Sequence, residues 1–394
     1  MLLYWVWLSQ LKLSLAQKHR LLWLFGSPEE LYRSSGRALT DKEGITERMA
    51  EILDDKDLTQ AQQLLQECEA KGIGVIGLDD SAYPARLRNI SDAPLVLYVK
   101  GKLPDWERQP VIGIVGTRRA TSYDLRTAKR FAEHLASCGA LVISGGAAGI
   151  DTRAMEGAMK AGRPVVGILG CGVDIVYPKE NKALFEKVIQ DGCLISEYPP
   201  RTRPTKWTFP ARNRIISGIS NGLLVVEAPL HSGSLNTARH ALEQGRDVYV
   251  VPGNLDTETF SGSNQLFREG ATPAFNGWDV LREYAPLWEQ TITQQPEPAM
   301  ENEEQPPVAE APKSAPADKK AIDKEEKSTY SVINVQGLSE QEQQIVALLQ
   351  AESTHLDQLV DGMDMPASAV KSLLTKMSIK GLVQLLPGGR VSLK

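Results

Sequence analysis

Ala140-Leu-Val-Ile-Ser144-Gly-Gly-Ala-Ala-Gly149-Ile-Asp151 reads as a buried strand, a glycine-rich turn and the opening of a helix. A short apolar run broken by glycine and followed by helical periodicity is the repeating unit of a parallel sheet covered by helices. The unit recurs on both sides. Strands are predicted over 111–115, 140–144, 164–169, 193–196, 223–227 and 247–251, with helical patterns between most of them, such as 126–136 and 237–244. Strands rich in Val and Ile imply burial on both faces. The expected fold class is α/β, a Rossmann-like doubly wound parallel sheet, whose ligands bind beyond the carboxyl ends of the strands.

Three turns sit at those ends. They are Gly116-Thr117-Arg118-Arg119-Ala120-Thr121, Ser144-Gly145-Gly146-Ala-Ala-Gly149, and Ser232-Gly233-Ser234-Leu-Asn-Thr237, each leading into a helix. Small residues let backbone N–H groups approach an anion, and a helix N-terminus adds a favourable field. Any one such turn also serves tight packing. Three on one sheet, beside Arg118, point to an anion-binding edge. No Gly-x-x-x-x-Gly-Lys-Ser/Thr occurs, so no nucleotide P-loop is present. No Gly-x-Gly-x-x-Gly follows the first predicted strand, which weakens dinucleotide binding. Asp151, Asp174, Glu197 and Glu227 stand near strand ends, where acids more often cap helices or pair with arginine than catalyse.

The stretch Lys206-Trp-Thr-Phe209-Pro-Ala-Arg212-Asn-Arg214-Ile-Ile-Ser217-Gly adds a second signal. No Asp or Glu lies between Glu197 and Glu227, while Arg201, Arg203, Lys206, Arg212 and Arg214 crowd the first half of that window. Cations interleaved with Trp207 and Phe209 suit a nucleic-acid strand, charges to phosphates and rings to bases. The whole chain carries a net charge of -5, so the strip is a local feature. A solvated loop and helix start is the plainer alternative.

Composition divides the 394 residues into four parts. Residues 1–103 form a helical N-terminal domain and lead-in. Leu11, Leu15, Leu22 and Phe25 can share a helix face, Gly26 ends that helix, and Ser27-Pro28-Glu29-Glu30 starts the next with a capping box. Such helices are either a helix-hairpin-helix contact to DNA or plain packing. Residues 104–288 hold the sheet. Residues 289–335, rich in Pro, Glu, Ala, Lys and Gln, are expected to be a disordered linker. Residues 336–394 read as three helices and a hairpin, the order of a winged helix, with Lys371, Lys376 and Lys380 on or beside the third helix. That module suits DNA or protein contact equally. The four widely spaced cysteines and the five histidines form no metal-ligand pattern, and no metal or other cofactor is expected. The apolar start Met1–Leu8 is too short to span a bilayer and lacks a basic leader, so a cytoplasmic protein away from the membrane is expected.

The chain resembles the DNA-processing protein A family, DprA or Smf. The resemblance rests on Gly116-Thr-Arg118, the 144–151 turn, Gly170-Cys-Gly-Val-Asp174-Ile-Val-Tyr177-Pro-Lys-Glu-Asn181, Ile195-Ser-Glu-Tyr-Pro199, the 209–217 run, Ser232–Ala238 and Val251-Pro-Gly253. It implies a mediator, not an enzyme, that binds single-stranded DNA during natural transformation, protects the incoming strand, helps load RecA, and acts as a dimer. By the same resemblance Arg118 contacts DNA, Lys206 a phosphate and Phe209 a base. Ser144, Gly145, Gly146, Ser232, Gly233 and Ser234 supply turn contacts. Arg212 and Arg214 complete the expected DNA-binding set. Asp124, where the family often has Gly, is expected to weaken local DNA contact. A rival resemblance is to nucleotide phosphoribohydrolases of the lonely-guy type, but His240 stands where their glutamate is expected.

Overall fold

Alternate residues of each central strand enter opposite faces of one sheet, as burial on both sides requires. Ile112 and Ile114 join one apolar cluster while Val111 and Val115 join the other, and Val142 is separated in the same way from Leu141 and Ile143. The computed structural model describes residues 1–34, 44–299, 339–349, 354, 355, 359, 363, 365, 369, 370, 373, 374, 376, 377, 382–386 and 390–393. The chain divides into two units, Met1–Pro306 and Pro307–Lys394.

The first unit is built on a nine-stranded sheet. Its strands are β1 Gly74–Gly77, β2 Val96–Gly101, β3 Val111–Val115, β4 Leu141–Ser144, β5 Val165–Ile168, β6 Cys193–Ser196, β7 Gly222–Val225, β8 Asp247–Val250 and β9 Thr272–Pro273. The order is β1-β2-β6-β5-β4-β3-β7-β8-β9. From β6 to β9 every pairing is parallel, and β1 and β2 add an antiparallel edge. The chain runs outward from β3 through β4, β5 and β6, then returns to the other side of β3 with β7. That reversal makes β3 the switch point, beyond whose carboxyl end a crevice must open.

Helices Ser122–Ser137, Ile150–Lys160 and Lys182–Asp191 cover one face through Phe131, Leu135, Met155 and Phe185. Helices Thr208–Ile219, Gly233–Glu243 and Ser261–Arg268 cover the other through Ile215, Ile216, Ala238 and Leu266. The apolar N-terminus forms helix Leu2–Gln10, with Trp5, Val6, Trp7 and Leu8 buried. Gly77 of β1 admits Trp5, since a Cβ there would meet its ring at 2.8 Å. Leu11 lies in the break before helix Leu15–Phe25 and does not share its face. Gly26 caps that helix as expected, and Ser27 accepts from Glu30 N to open helix Pro28–Arg33. The complete capping box lies one helix earlier, between Ser14 and Gln17.

Residues at the start of the expected linker pack onto the sheet domain. Ile292 is buried, Thr293 N donates to Cys138 O at 3.0 Å, and the His134 ring lies 2.9 Å from Gln295 O. Gly139 makes space for this segment: a Cβ would stand 2.2 Å from Thr291 O. The rest of the linker, 300–335, lies outside the described residues.

In the second unit Ser339 and Glu342 exchange capping hydrogen bonds at the start of helix Glu340–Leu349. Strands β10 Thr354–His355, β11 Val383–Leu386 and β12 Arg390–Leu393 form an antiparallel sheet in the order β10-β12-β11. Ile345, Leu349, Val370, Leu374, Met377 and Val391 share its core. This is a winged helix, with a short strand that the periodicity did not predict. Lys376 is exposed, whereas Lys371 and Lys380 lie outside the described residues.

Candidate nucleic-acid interface

The crevice at the switch point is a cavity of about 430 Å³. Arg118, Lys206, Phe209, Arg212 and the 232–234 turn line it. Two loops from separate parts of the chain are drawn together there by glycine. Gly149 has φ +85°, and a Cβ at that position would lie 2.5 Å from Thr117 O and 2.9 Å from Arg118 Cα. Only glycine lets the 144–149 turn pass so close beneath the Arg118 loop. Ile150 N donates to Thr117 O at 3.3 Å across this contact.

Arg118 is exposed, and its guanidinium stands 4.8 Å from the Phe209 ring centroid. Lys206 is also exposed, with Nζ 4.9 Å from the Trp207 ring, and Trp207 itself is 73% exposed. Both are cation–π contacts that leave the charge open to solvent. On the opposite wall Ser232 caps helix Gly233–Glu243. Its hydroxyl accepts from Ser234 N at 3.3 Å and lies 2.6 Å from Ser234 Oγ. The helix start therefore faces the same cavity as the two cations, an arrangement that favours an anion.

Arg212 lines the cavity yet is almost fully buried. Its Nη1 donates to Gly145 O at 2.6 Å and also to Ile168 O. Gly145 is what admits it, since a Cβ would lie 2.5 Å from both Arg212 Nη2 and Asp151 Oδ2. Burial lowers the Arg212 pKa to about 10, opposed by the Asp151 charge, so the guanidinium stays cationic at neutral pH. Burial raises the Asp151 carboxyl to about 6 against the pull of Arg212. Arg212 thus ties the ends of β4 and β5 together, and it lines the cavity together with the Asp151 carboxylate that opposes its charge.

Four of the eleven expected DNA-binding residues are not brought to this cavity. Ser144 is fully buried and donates to Ile114 O at 2.7 Å. Gly145 houses Arg212, and Gly146 packs on Phe185, whose Cζ a Cβ would meet at 2.9 Å. Arg214 is 5% exposed and turns the other way, held by Glu197 and Asp92. These positions share one physical cause: the turn residues and the second arginine assemble the edge from inside. Conversely, Arg119, Asn213 and Thr237 line the cavity without having been singled out. Asn213 Nδ2 donates to Gly233 O at 3.1 Å, joining the basic strip to the serine turn. Its place between two arginines was the available signal.

The acids do not form a cluster. Asp174 accepts from Lys71 Nζ at 2.7 Å and from Arg201 N at 2.8 Å. Among the described residues no three His, Cys, Asp or Glu side chains stand where they could hold a metal ion. Asp124 is buried and accepts from Thr121 N at 3.2 Å to cap its own helix, so it does not face the cavity. Beside it Glu227 is fully buried. Burial raises Glu227 to about 7, opposed by a Thr259 hydrogen bond and aided by the Asp124 charge. His240 lies on helix Gly233–Glu243 with Nδ1 3.6 Å from Glu243 Oε2.

Residues 74–285 match the family model of DNA recombination-mediator protein A, and residues 334–389 match the DprA winged helix domain. Protein Smf of Synechocystis sp. is 32% identical over 98% of this chain and 97% of its own length. The DNA processing protein DprA of Bacillus subtilis is 38% identical over 56% of this chain and 74% of its own. The crystal structure of DNA processing protein A from Streptococcus pneumoniae superposes with a TM-score of 0.62 at 31% identity, covering 71% of this chain and 96% of that one.

Proposed function

Since this chain belongs to the DNA recombination-mediator protein A family, we propose that it binds single-stranded DNA at the β3 switch point and acts as a recombination mediator in natural transformation. The observation that carries the reading is the convergence of Arg118, Lys206, Phe209 and the 232–234 turn on one cavity. A phosphate is received between the Lys206 ammonium and the start of helix Gly233–Glu243. A base then meets the Phe209 ring, which a duplex would keep covered by its neighbours. Arg118, now over that ring, is placed to follow the backbone as the base arrives. The cavity performs no chemistry in this reading; it holds the strand extended. A dimer would offer two such edges to one strand and raise affinity through local concentration. Held in this way in the cytoplasm, the strand is protected and open for RecA to nucleate upon.

The test is direct competition. Single strands are expected to displace a labelled oligonucleotide far better than duplex or free nucleotides, and the protein is expected to speed RecA assembly on strands coated by single-strand binding protein. Equal competition by duplex, or release of free base from nucleoside monophosphates at enzyme-like turnover, would overturn the reading.

A further inference from the structure

The segment Gly170–Asn181 is not used by the site described above, although its sequence is as distinctive as the basic strip. The structure stitches it to that strip at several points. Gly172 N donates to Thr202 O at 3.0 Å, and Asp174 accepts from Arg201 N at 2.8 Å. Gly170 lies under Phe209, where a Cβ would meet Cδ1 at 3.0 Å. At the far end Asn181 Nδ2 donates to Gly146 O at 3.0 Å, anchoring the segment to the sheet. These ties bring Tyr177 to Phe209. The ring centroids are 5.4 Å apart with the planes tilted by 40°, and Tyr177 remains 42% exposed.

From this contact we infer that Tyr177 is a second base-stacking position, which receives the nucleotide next to the one held at Phe209. Two rings already in van der Waals contact leave no gap for a base between them. A base meeting the pair is therefore received on the open side of Tyr177, while Phe209 also carries the Arg118 guanidinium. The tyrosine is fixed in advance by its packing on Phe209 and by the anchored segment around it. Little side-chain freedom remains to be lost when a base arrives, which favours stacking there. A purely structural tyrosine would be expected to cover Phe209 and turn its own face inward; this one keeps an open surface beside the cavity. The inference rests on the single-strand reading and adds to it a residue and a direction along the strand.

The experiment is an abasic scan on an oligonucleotide bound by the full chain. In the parent, removing a base is expected to weaken binding at two neighbouring positions. Tyr177→Leu, which keeps apolar cover on Phe209, is expected to bind the intact strand roughly 5- to 150-fold more weakly. It should also abolish one of the two abasic penalties, with thermal stability and salt slope close to the parent. Tyr177→Phe is expected to restore both affinity and penalty. A parent-like scan for Tyr177→Leu would overturn this inference and leave the single-strand site standing, as would a Tyr177→Phe variant as weak as Tyr177→Leu. A parent with no preference for single strands would overturn the reading beneath it.

Discussion

Glu197 holds both terminal nitrogens of Arg214, with Nη1 to Oε1 at 2.8 Å and Nη2 to Oε2 at 2.7 Å. Asp92 Oδ2 adds a contact to Nε at 2.9 Å. Two parallel charge-assisted bonds fix both position and plane. Arg214 → Leu is therefore expected to act on stability, because it leaves the half-buried Glu197 carboxylate without its partner. The cost should be about 3–5 kcal/mol, measured as a shift of the urea midpoint at constant slope. The salt dependence of DNA binding by the folded fraction should stay that of the parent.

Lys206 → Ala is expected to remove one phosphate contact. On a single strand that flattens the log–log salt slope by about 0.7. Fluorescence anisotropy over a salt series decides it, and an unaltered slope would take Lys206 out of the phosphate site.

Phe209 → Ala should behave oppositely. It removes a stacking surface and the seat of the Arg118 guanidinium, so affinity is expected to fall by about 1–3 kcal/mol with the salt slope nearly intact. Gly170 beneath the ring cannot fill the space. The readout is the same salt series, with the curves expected to run parallel.

Glu227 makes stability depend on pH. Its carboxyl is raised from 4.5 unfolded to about 7 folded. Between those values the unfolded chain releases a proton that the folded chain keeps, so stability falls as pH rises through the window and levels off above it. Asp151, raised to about 6, acts with the same sign lower in the range. Glu227 → Gln removes the first contribution alone. The variant is expected to gain on the parent progressively from pH 5 to pH 8 in thermal unfolding; a constant difference would show that Glu227 does not titrate there.

A fragment ending at Ala299 should be more stable than one ending at Gln290, and both should keep the single-strand site. The shorter one loses buried Ile292, the Thr293–Cys138 bond and the Arg130–Glu297 pair at 3.3 Å. Ile292 burial alone is worth about 1.5–3 kcal/mol. Urea midpoints of the two fragments make the comparison.

The parallel strands were legible because a strand buried on both faces must be apolar throughout, as in Val111–Val115 and Leu141–Ser144. β1 and β9 were not. Gly74-Val-Ile-Gly77 carries two glycines, and β9 is two residues including a proline, so neither shows strand periodicity. β2 is apolar enough, but it lies among helical patterns, and only its pairing with β6 reveals its place. The site shows the same division. Charge and aromaticity marked Arg118, Lys206 and Phe209, which stay accessible. The fates of Arg212 and Arg214 depended on partners distant in sequence, Gly145 and Asp92, which no local pattern announces. The glycines of the 144–149 turn were read as phosphate contacts, but Gly145, Gly146 and Gly149 each answer to a neighbour that needs room.

The antiparallel edge has a consequence for how the chain must be made. Gly101 of β2 faces Cys193 of β6, so one side of β2 has no partner until nearly a hundred further residues have been synthesised. At roughly 5–20 residues per second a ribosome takes several seconds over that interval. Through that time the emerging β1–β2 hairpin carries Leu97 and Val99 with only the preceding helices for cover. Tyr83, Leu87 and Ile90, already synthesised and part of the same apolar cluster, are then the shelter within reach for a nascent edge that the finished sheet later closes, while the tryptophans of the first helix cover its other face.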